Sequence, residues 1–200
     1  MSRGLLVVLE GLDGTGKSTQ LPRLAKRLAA SGREVVETRE PYDCPPGREI
    51  RALAQRHVPV AAEEELALFV AQRRLHVREV VTPALARGAL VLSDRYFLST
   101  VAYQGARGLD PQQLLAASEA EFPLPALALL LVLPPEQGLA RVAARGAAEP
   151  AFEHADFLAR VAAIFAALDR PYLERVDASG SPDAVEARLA AAVHRRLGLP

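Results

Sequence analysis

The chain has 200 residues, half of them apolar, and its length fits a single domain that buries enough surface to fold without a disulfide or structural metal. Its 24 Lys and Arg balance its 24 Asp and Glu, which excludes a broad positive surface for nucleic acid, and its longest apolar runs, 126–133 and 5–9, exclude a membrane span of ~20 residues. A lone cysteine, Cys44, fits a reducing compartment, so we expect a cytoplasmic protein with no nucleic-acid or membrane partner.

The first predicted elements are a strand, a glycine-rich turn and a helix. Residues 5–10 are mostly apolar and lie between Gly4 and Gly11, a pattern typical of a buried parallel strand. Residues 18–30 repeat leucine and alanine at helical spacing, and Gly32 follows as a stop. Between these elements, residues 11–18 match G-x-x-x-x-G-K-(S/T) in the context that this phosphate-binding loop requires.

This motif predicts a cradle for a polyphosphate. Its glycines let backbone N–H groups turn inward, and the helix start adds partial positive charge. Lys17 is one of only two lysines, which indicates a compact ammonium group at a phosphate, and we expect the Ser18 hydroxyl to hold Mg²⁺ on the β- and γ-phosphates of ATP. The predicted nucleotide-binding residues are Gly11, Leu12, Asp13, Gly14, Thr15, Gly16, Lys17, Ser18 and Thr19.

The rest of the chain alternates strands with helices. Strands are predicted at 34–38, 89–94 and 127–133, with a short further strand near Val176. Helices are predicted at 63–81, 111–120, 135–144, 155–173 and 182–197, and residues 42–47 are predicted to form a loop. This alternation predicts an α/β fold of the P-loop NTPase type, a doubly wound parallel sheet with helices on both faces.

Charged residues end the second and third predicted strands. Arg39 and Glu40 project from one strand end, where Pro41 keeps Glu40 extended, and Asp94 closes the other strand, with Arg95 after it. Because the carboxyl ends of parallel strands share one edge, we expect these side chains near the phosphate loop. There Asp94 would reach the metal or its water shell, as a Walker-B acid does, although such an Asp alone is also typical of a helix cap or turn.

Four motifs together resemble the thymidylate kinase family over about residues 5–180. They are Glu10-Gly-Leu-Asp13, Thr38-Arg39-Glu40-Pro41, Phe69-x-x-x-Arg73, and the run from Asp94-Arg95-Tyr96 to Tyr103-Gln104-Gly105. The resemblance implies an enzyme that phosphorylates dTMP to dTDP with ATP and Mg²⁺, which supplies dTTP synthesis. It also implies one kinase domain over 1–200 with a lid at about 141–153, and a homodimer.

The resemblance also implies the acceptor site. Phe69 would stack on thymine and Arg73, one helical turn later, would hydrogen-bond its carbonyl, with Tyr103 beneath the deoxyribose. Arg39 and Arg95 would clamp the α-phosphate of the acceptor, and Asp13 would lie near its sugar and the metal, since two anions react only when cations hold them together. The implied substrate-binding residues are Arg39, Phe69, Arg73, Arg95, Ser99, Thr100, Tyr103 and Gln104.

The implied catalytic set is Lys17, Asp13, Arg95, Arg145 and Arg141. Gly14 and Thr15 provide no arginine within the loop, so the charge on the transferred group would be neutralised from the lid. Arg145 is the first candidate, Arg141 the second and Arg160 the third. The family's Asp-Arg pair before Phe152 and Glu153 is replaced here by Pro150-Ala151.

Alternatives stay open at the level of the sequence. A kinase for another nucleoside monophosphate or nucleoside would use the same loop, and Phe69, Arg73 and Tyr103 are the residues that discriminate. A nucleotide-driven switch or assembly ATPase would need no acceptor, and a homologue with a defective lid would bind dTMP without turnover. Phe69 could also be a core residue, and the arginines at 73, 141 and 145 surface residues.

Overall fold

The computed structural model describes residues 4–56, 60–143 and 152–199, and five strands in these ranges form one sheet. The strands are β1 (Leu5–Glu10), β2 (Val35–Arg39), β3 (Leu90–Asp94), β4 (Leu127–Val132) and β5 (Leu173–Asp177). Their order is β2-β3-β1-β4-β5, and every neighbouring pair is parallel. The predicted parallel sheet, including the short strand near Val176, is confirmed.

Helices connect the strands. They are α1 (Lys17–Ala29), α2 (Pro45–Arg56), α3 (Ala62–His76), α4 (Thr82–Ala86), α5 (Phe97–Ala106), α6 (Pro111–Glu121), α7 (Pro135–Ala143), α8 (Phe152–Ala167) and α9 (Pro182–Leu197). A π-helical turn, Val77–Val81, joins α3 to α4. None of the helices in the described ranges has the length and apolarity to cross a bilayer.

The sheet separates two hydrophobic layers. Side chains alternate along β1, so that Leu6 and Val8 pack on one face, against a layer that includes residues of α5 and α8. Val7 and Leu9 pack on the other face with residues of α1 and α9. Helices therefore cover both faces, as predicted, and the three central strands, β1, β3 and β4, are buried from both sides.

Two predicted boundaries are wrong. The loop predicted at 42–47 already contains the start of α2 at Pro45, because prolines in the first turn of a helix lack only N–H groups that would have no intrahelical partner. The helix predicted at 155–173 ends at Ala167, and Leu173 begins β5. Pro171 cannot continue a helix, which separates the two elements. No element was predicted over 97–106, where α5 lies.

Candidate active site

The loop between β1 and α1 adopts backbone conformations that glycine alone takes readily. Gly11, Gly14 and Gly16 have φ values of 136°, 83° and 96°. A Cβ atom on Gly11 would lie 2.6 Å from the Leu131 carbonyl oxygen, and one on Gly14 would overlap the backbone of Gly138 in α7. The two close approaches explain why the turn at the end of β1 needs residues without side chains.

Lys17 is buried beneath this loop. Its Nζ donates to the carbonyl oxygens of Gly11 at 2.9 Å and Leu12 at 2.8 Å. Burial, with the nearby charge of Arg95, lowers the pKa of Lys17 to about 8. A phosphate in the loop would favour the charged ammonium, since an opposite charge shifts the pKa back upward. An anion bound in the loop would therefore stabilise the charged form of Lys17.

Ser18 and Asp94 meet at the edge of the sheet, as predicted. The Ser18 Oγ donates to Asp94 Oδ2 at 3.1 Å. Asp94 Oδ1 is buried and accepts from no donor among the described residues. A hydroxyl and a carboxylate oxygen that needs a partner are ligands that suit Mg²⁺, which takes oxygen ligands and keeps much of its water shell. The residues present fit that ion.

Arg95 is the centre of a network at the mouth of the loop. Its guanidinium donates to Asp13 Oδ1 at 2.7 Å and to Ser99 Oγ at 2.9 Å, and it lies 5.1 Å from the ring centroid of Tyr103. The backbone of Arg95 has a φ of 69°, in the left-handed region. Its N–H donates to the Leu9 carbonyl at 2.9 Å, which fixes it to the end of β1.

A polar cavity of about 280 Å³ opens beside the loop. Arg39, Asp94 and Arg95 line it together with loop residues, so the structure brings the predicted strand-end residues into one crevice. Arg51 of α2 also lines it and was not predicted. It donates to the Pro41 carbonyl at 3.0 Å and to Asp43 at 2.7 Å. Its helix begins with two prolines and was not predicted, so no pattern identified this arginine.

A second cavity, of about 380 Å³, adjoins the first at Asp13, Pro41 and Arg95, which line both. The predicted base and sugar residues line its wall, namely Phe69, Ser99, Thr100, Tyr103 and Gln104. They come from two helices, α3 and α5, that face each other across the pocket. Phe69 is half-buried at this wall rather than enclosed in the core.

Arg73 lies buried behind that wall, so the alternative of a surface arginine is wrong. Its Nε and Nη2 donate to Glu40 Oε2 at 2.9 and 2.6 Å, and Nη2 also donates to Thr100 Oγ1 at 2.8 Å. The rings of Tyr96 and Phe122 lie 5.4 Å from its guanidinium carbon. Its Nη1 is buried and has no acceptor among the described residues.

Glu40 holds Arg73 in place, a role that no sequence pattern indicated. His76 Nδ1 lies 3.0 Å from Glu40 Oε1, and His76 Nε2 lies 2.7 Å from Thr38 Oγ1. Burial favours the protonated carboxyl, but the adjacent Arg73 and His76 hold the pKa of Glu40 below its ordinary value. The carboxylate thus links the end of β2 to the helix that carries the base-pocket residues.

Glu10 fixes the start of α5 in a similar way. This buried carboxyl accepts from the Tyr96 N–H at 2.9 Å and from the Ser99 hydroxyl. Burial raises the pKa of Glu10 to about 7, against the opposing effects of Ser99 and Arg95. The sequence identifies Glu10 only as the first residue of a motif and indicates no role for it. In the structure it orients Ser99, which in turn accepts from Arg95.

The arginines that the sequence proposes for the transferred phosphoryl group differ in placement. Arg141 donates to the Ala178 carbonyl at 3.3 Å and, at 3.5 Å, to the Gly14 carbonyl. It lines a cavity of about 190 Å³ with loop residues Thr15, Gly16 and Thr19. Arg160 donates to the Ala106 carbonyl at 3.4 Å, against α5. Arg145, with residues 144–151, lies outside the described residues.

Comparison with known proteins agrees with this geometry. The profile of the thymidylate kinase family matches residues 9–189. A thymidylate kinase of Xanthomonas euvesicatoria is 49% identical over 91% of this chain and 80% of its own length. Those of Desulfotalea psychrophila and Akkermansia muciniphila are 44% and 43% identical, over 92% and 98% of this chain and 91% and 94% of their own lengths. This chain belongs to the thymidylate kinase family.

Proposed function

We propose that this protein transfers the γ-phosphoryl group of ATP to dTMP, giving dTDP and ADP for nucleotide biosynthesis. One observation carries the proposal: the crevice at the phosphate loop continues, at Asp13, Pro41 and Arg95, into a pocket walled by Phe69 and Tyr103. A nucleoside monophosphate with its base in the pocket would present its phosphate to the loop. The family match over residues 9–189 supports the same activity.

Two buried polar atoms support thymine as the base. Arg73 Nη1 is a donor and Gln104 Oε1 an acceptor, and neither has a partner within the described ranges. The two residues lie close together, because Arg73 donates to Thr100, one turn before Gln104 on α5. Thymine offers the complementary edge, an O4 acceptor beside an N3–H donor, whereas cytosine reverses both. Leaving such atoms unpaired costs about 1–3 kcal/mol each, so this edge, which thymine shares with uracil, is favoured over that of cytosine.

The cations explain how two anions come together. Lys17 would hold the donor phosphates, and Arg39 and Arg95 would hold the acceptor phosphate, in the arrangement that the shared cavity supports. A phosphate monoester is itself nucleophilic, so catalysis consists mainly of positioning and charge stabilisation rather than of proton removal. Asp13 would orient Arg95 through their 2.7 Å contact and lie beside the acceptor sugar.

Ser18 and Asp94 would hold the Mg²⁺ that accompanies ATP. When bound, the ion neutralises charge across the β- and γ-phosphates. The Ser18–Asp94 hydrogen bond of 3.1 Å and the unpaired Asp94 Oδ1 support this assignment. The other predicted loop residues would contribute backbone N–H groups to the phosphates.

The lid at about 141–153, within a single domain over residues 1–200, stays a prediction. Arg141 already contacts the loop through the Gly14 carbonyl, which supports a lid that begins at α7. Arg145 remains the proposed residue for the transferred phosphoryl group, with Arg141 second. Single-turnover kinetics of Arg145→Ala and Arg141→Ala would separate them: loss of the chemical step identifies the residue that acts there.

We also propose a cytoplasmic homodimer. Leu53 on α2 and Leu66 and Leu75 on α3 are only half-buried in one chain, which supports association through these helices. The single thiol, Cys44, fits a reducing compartment. Light scattering coupled to gel filtration tests the oligomeric state: a mass near twice 21.5 kDa is expected.

A panel of acceptors tests the activity. With ATP and Mg²⁺, we expect the highest kcat/KM for dTMP among dTMP, dCMP, UMP and dGMP. Faster phosphorylation of dCMP or UMP would overturn the base assignment. Slow ATP hydrolysis that no monophosphate changes would favour a nucleotide-driven switch, and tight dTMP binding without turnover would indicate a defective lid.

A further inference from the structure

We infer that Glu65 is a specificity-positioning residue: it fixes the side-chain amide of Gln104 so that the amide oxygen, and not its nitrogen, faces the acceptor base. The base selected is one that carries an N–H group at the centre of its hydrogen-bonding edge. This inference rests on the proposed function, since it concerns how the pocket selects the base of the acceptor nucleotide.

The contacts at the pocket wall carry the inference. Gln104 Nε2 donates to Glu65 Oε2 at 2.6 Å, across the gap between α5 and α3. The Gln104 side chain is buried, at 1% exposure, and its Oε1 accepts from no group in the described ranges. Both residues line the cavity that Phe69 and Thr100 also line. The orphan oxygen therefore belongs to a residue at the wall of the base pocket.

The chemistry of Glu65 determines the orientation of the amide. A carboxylate only accepts hydrogen bonds, so the amide nitrogen must face it. The reversed amide would set two acceptors against each other and leave the NH₂ group without that bond. Arg107 Nη1 contacts the same oxygen, Glu65 Oε2. Arg107 is itself tied to the Val60 carbonyl.

A fixed amide oxygen discriminates between bases. It accepts from the N3–H of thymine and meets a second acceptor in the N3 of cytosine. The 5-methylcytosine base keeps the ring and the methyl group of thymine but carries an acceptor at N3, which would face the fixed oxygen. A buried polar atom without its partner is costly, so this contact alone predicts roughly a tenfold loss in kcat/KM for 5-methyl-dCMP, in addition to the loss that the N4 amino group causes at Arg73.

The test compares dTMP with 5-methyl-dCMP, which differ only in the group at position 4 and in the proton at N3. The wild-type protein is expected to prefer dTMP by more than about tenfold in kcat/KM. In Glu65→Gln the new amide accepts or donates, so Gln104 is free to turn its NH₂ group toward N3, and the preference should fall roughly tenfold. Glu65→Ala, which removes the acceptor, should give the same loss and serves if the first variant does not fold.

Two matched variants isolate the effect. Glu64 is the exposed neighbour of Glu65 on the same turn of α3. Glu64→Gln removes a carboxylate there and should leave the ratio of the two kcat/KM values as in the wild type. Arg107→Gln breaks the ion pair but leaves the Glu65–Gln104 contact, and it should also keep the ratio. If Arg107→Gln lowers the preference as much as Glu65→Gln does, the ion pair and not the amide orientation is responsible, and the inference is wrong.

The remaining outcomes are distinct. If the wild-type protein phosphorylates dTMP but accepts 5-methyl-dCMP equally well, or if Glu65→Gln and Glu65→Ala keep the full preference, the role of Glu65 is refuted and the proposed function stands. If the wild-type protein does not phosphorylate dTMP at all, the proposed function fails and this inference fails with it.

Discussion

Arg95 is held in an uncommon backbone conformation at the centre of the site. A left-handed φ costs a non-glycine residue roughly 1–2 kcal/mol, and at Arg95 a fixed set of contacts offsets that cost. Its N–H donates to Leu9, its carbonyl accepts from Ser93 Oγ at 2.7 Å, and its guanidinium is held by Asp13 and Ser99. A cation oriented before substrate binds needs little reorganisation during the reaction.

Lys17 offers the most direct test at the scale of one residue. Lys17→Ala should lower kcat by roughly 10²- to 10³-fold, because a preorganised charge at the donor phosphates is lost. The KM for dTMP should change little, since the acceptor pocket is untouched. Lys26→Ala, at the exposed second lysine on the same helix, is the control and should leave both constants unchanged. A Lys17→Ala variant as active as wild type would remove the loop from the mechanism.

Tyr103 is expected to select the sugar. If its ring fills the space that a 2′-hydroxyl would need, Tyr103→Ala should raise activity on ribo-TMP relative to dTMP by about tenfold. A factor of this size is typical of a small steric difference between two substrates in one pocket. Tyr103→Phe keeps the ring and removes the hydroxyl, which lies 3.4 Å from Arg95 Nη2 and also interacts with Asp13, so its ratio should stay near wild type. An unchanged ratio in Tyr103→Ala would show that the ring does not contact the sugar.

At the scale of elements, the loop is shaped by its contact with α7. Gly14→Ala would place a methyl group against the Gly138 backbone at a φ of 83°. Gly32→Ala, at a φ of 75° with open space around it, introduces the backbone strain alone. We expect Gly14→Ala to lower both the melting temperature and kcat, and Gly32→Ala to cost only about 1 kcal/mol of stability with kcat unchanged. Equal effects of the two substitutions would contradict a close loop–α7 contact.

The buried end of β1 gives a prediction about pH. The pKa of Glu10 is raised from 4.5 to about 7, so between these values the folded state holds a proton that the unfolded state has released. The contribution of Glu10 to the free energy of unfolding is fully present below pH 4.5. This contribution, roughly 3 kcal/mol, is lost as the pH rises through 7. Urea unfolding at pH 5 and pH 7.5 should show that the free energy of unfolding of Glu10→Gln increases relative to that of the wild type as the pH rises. Parallel profiles of the two proteins would contradict the raised pKa.

Local patterns predicted the elements whose signals are local. The strand, glycine turn and helix over residues 5–30 were predicted because apolar runs and glycine spacing determine them within a few residues. The α2 helix was missed because Pro45, Pro46 and Gly47 suggest a turn, although they lie in its first turn. The helix predicted over 155–173 extended past the end of α8 at Ala167, because the effect of Pro171 was not taken into account.

The site was predictable where motifs mark it and not where distant residues meet. Arg39 and Asp94 end their strands and Arg95 follows one, so the parallel sheet was enough to bring them together. Glu40 and Glu65 act through contacts with residues 33 and 39 positions away, and no periodicity in one sequence encodes such pairs.

At the scale of the whole molecule, one edge of the sheet assembles the site. The carboxyl ends of β1, β2 and β3 place the loop, Arg39 and Asp94 in register, with Arg39 and Leu9 each paired to Asp94 across the sheet. The helices α3 and α5 add the base pocket beside it. The proposed donor and acceptor sites therefore meet at the carboxyl ends of β1, β2 and β3, as open parallel sheets permit.

A crystal structure with dTMP and a non-hydrolysable ATP analogue tests the central claim most directly. We expect the triphosphate within the loop at 11–18, the acceptor phosphate between Arg39 and Arg95, and thymine against Phe69 with its O4 at Arg73. Thymine bound away from Phe69 and Arg73, or a triphosphate outside that loop, would contradict this account of how the protein brings its two substrates together.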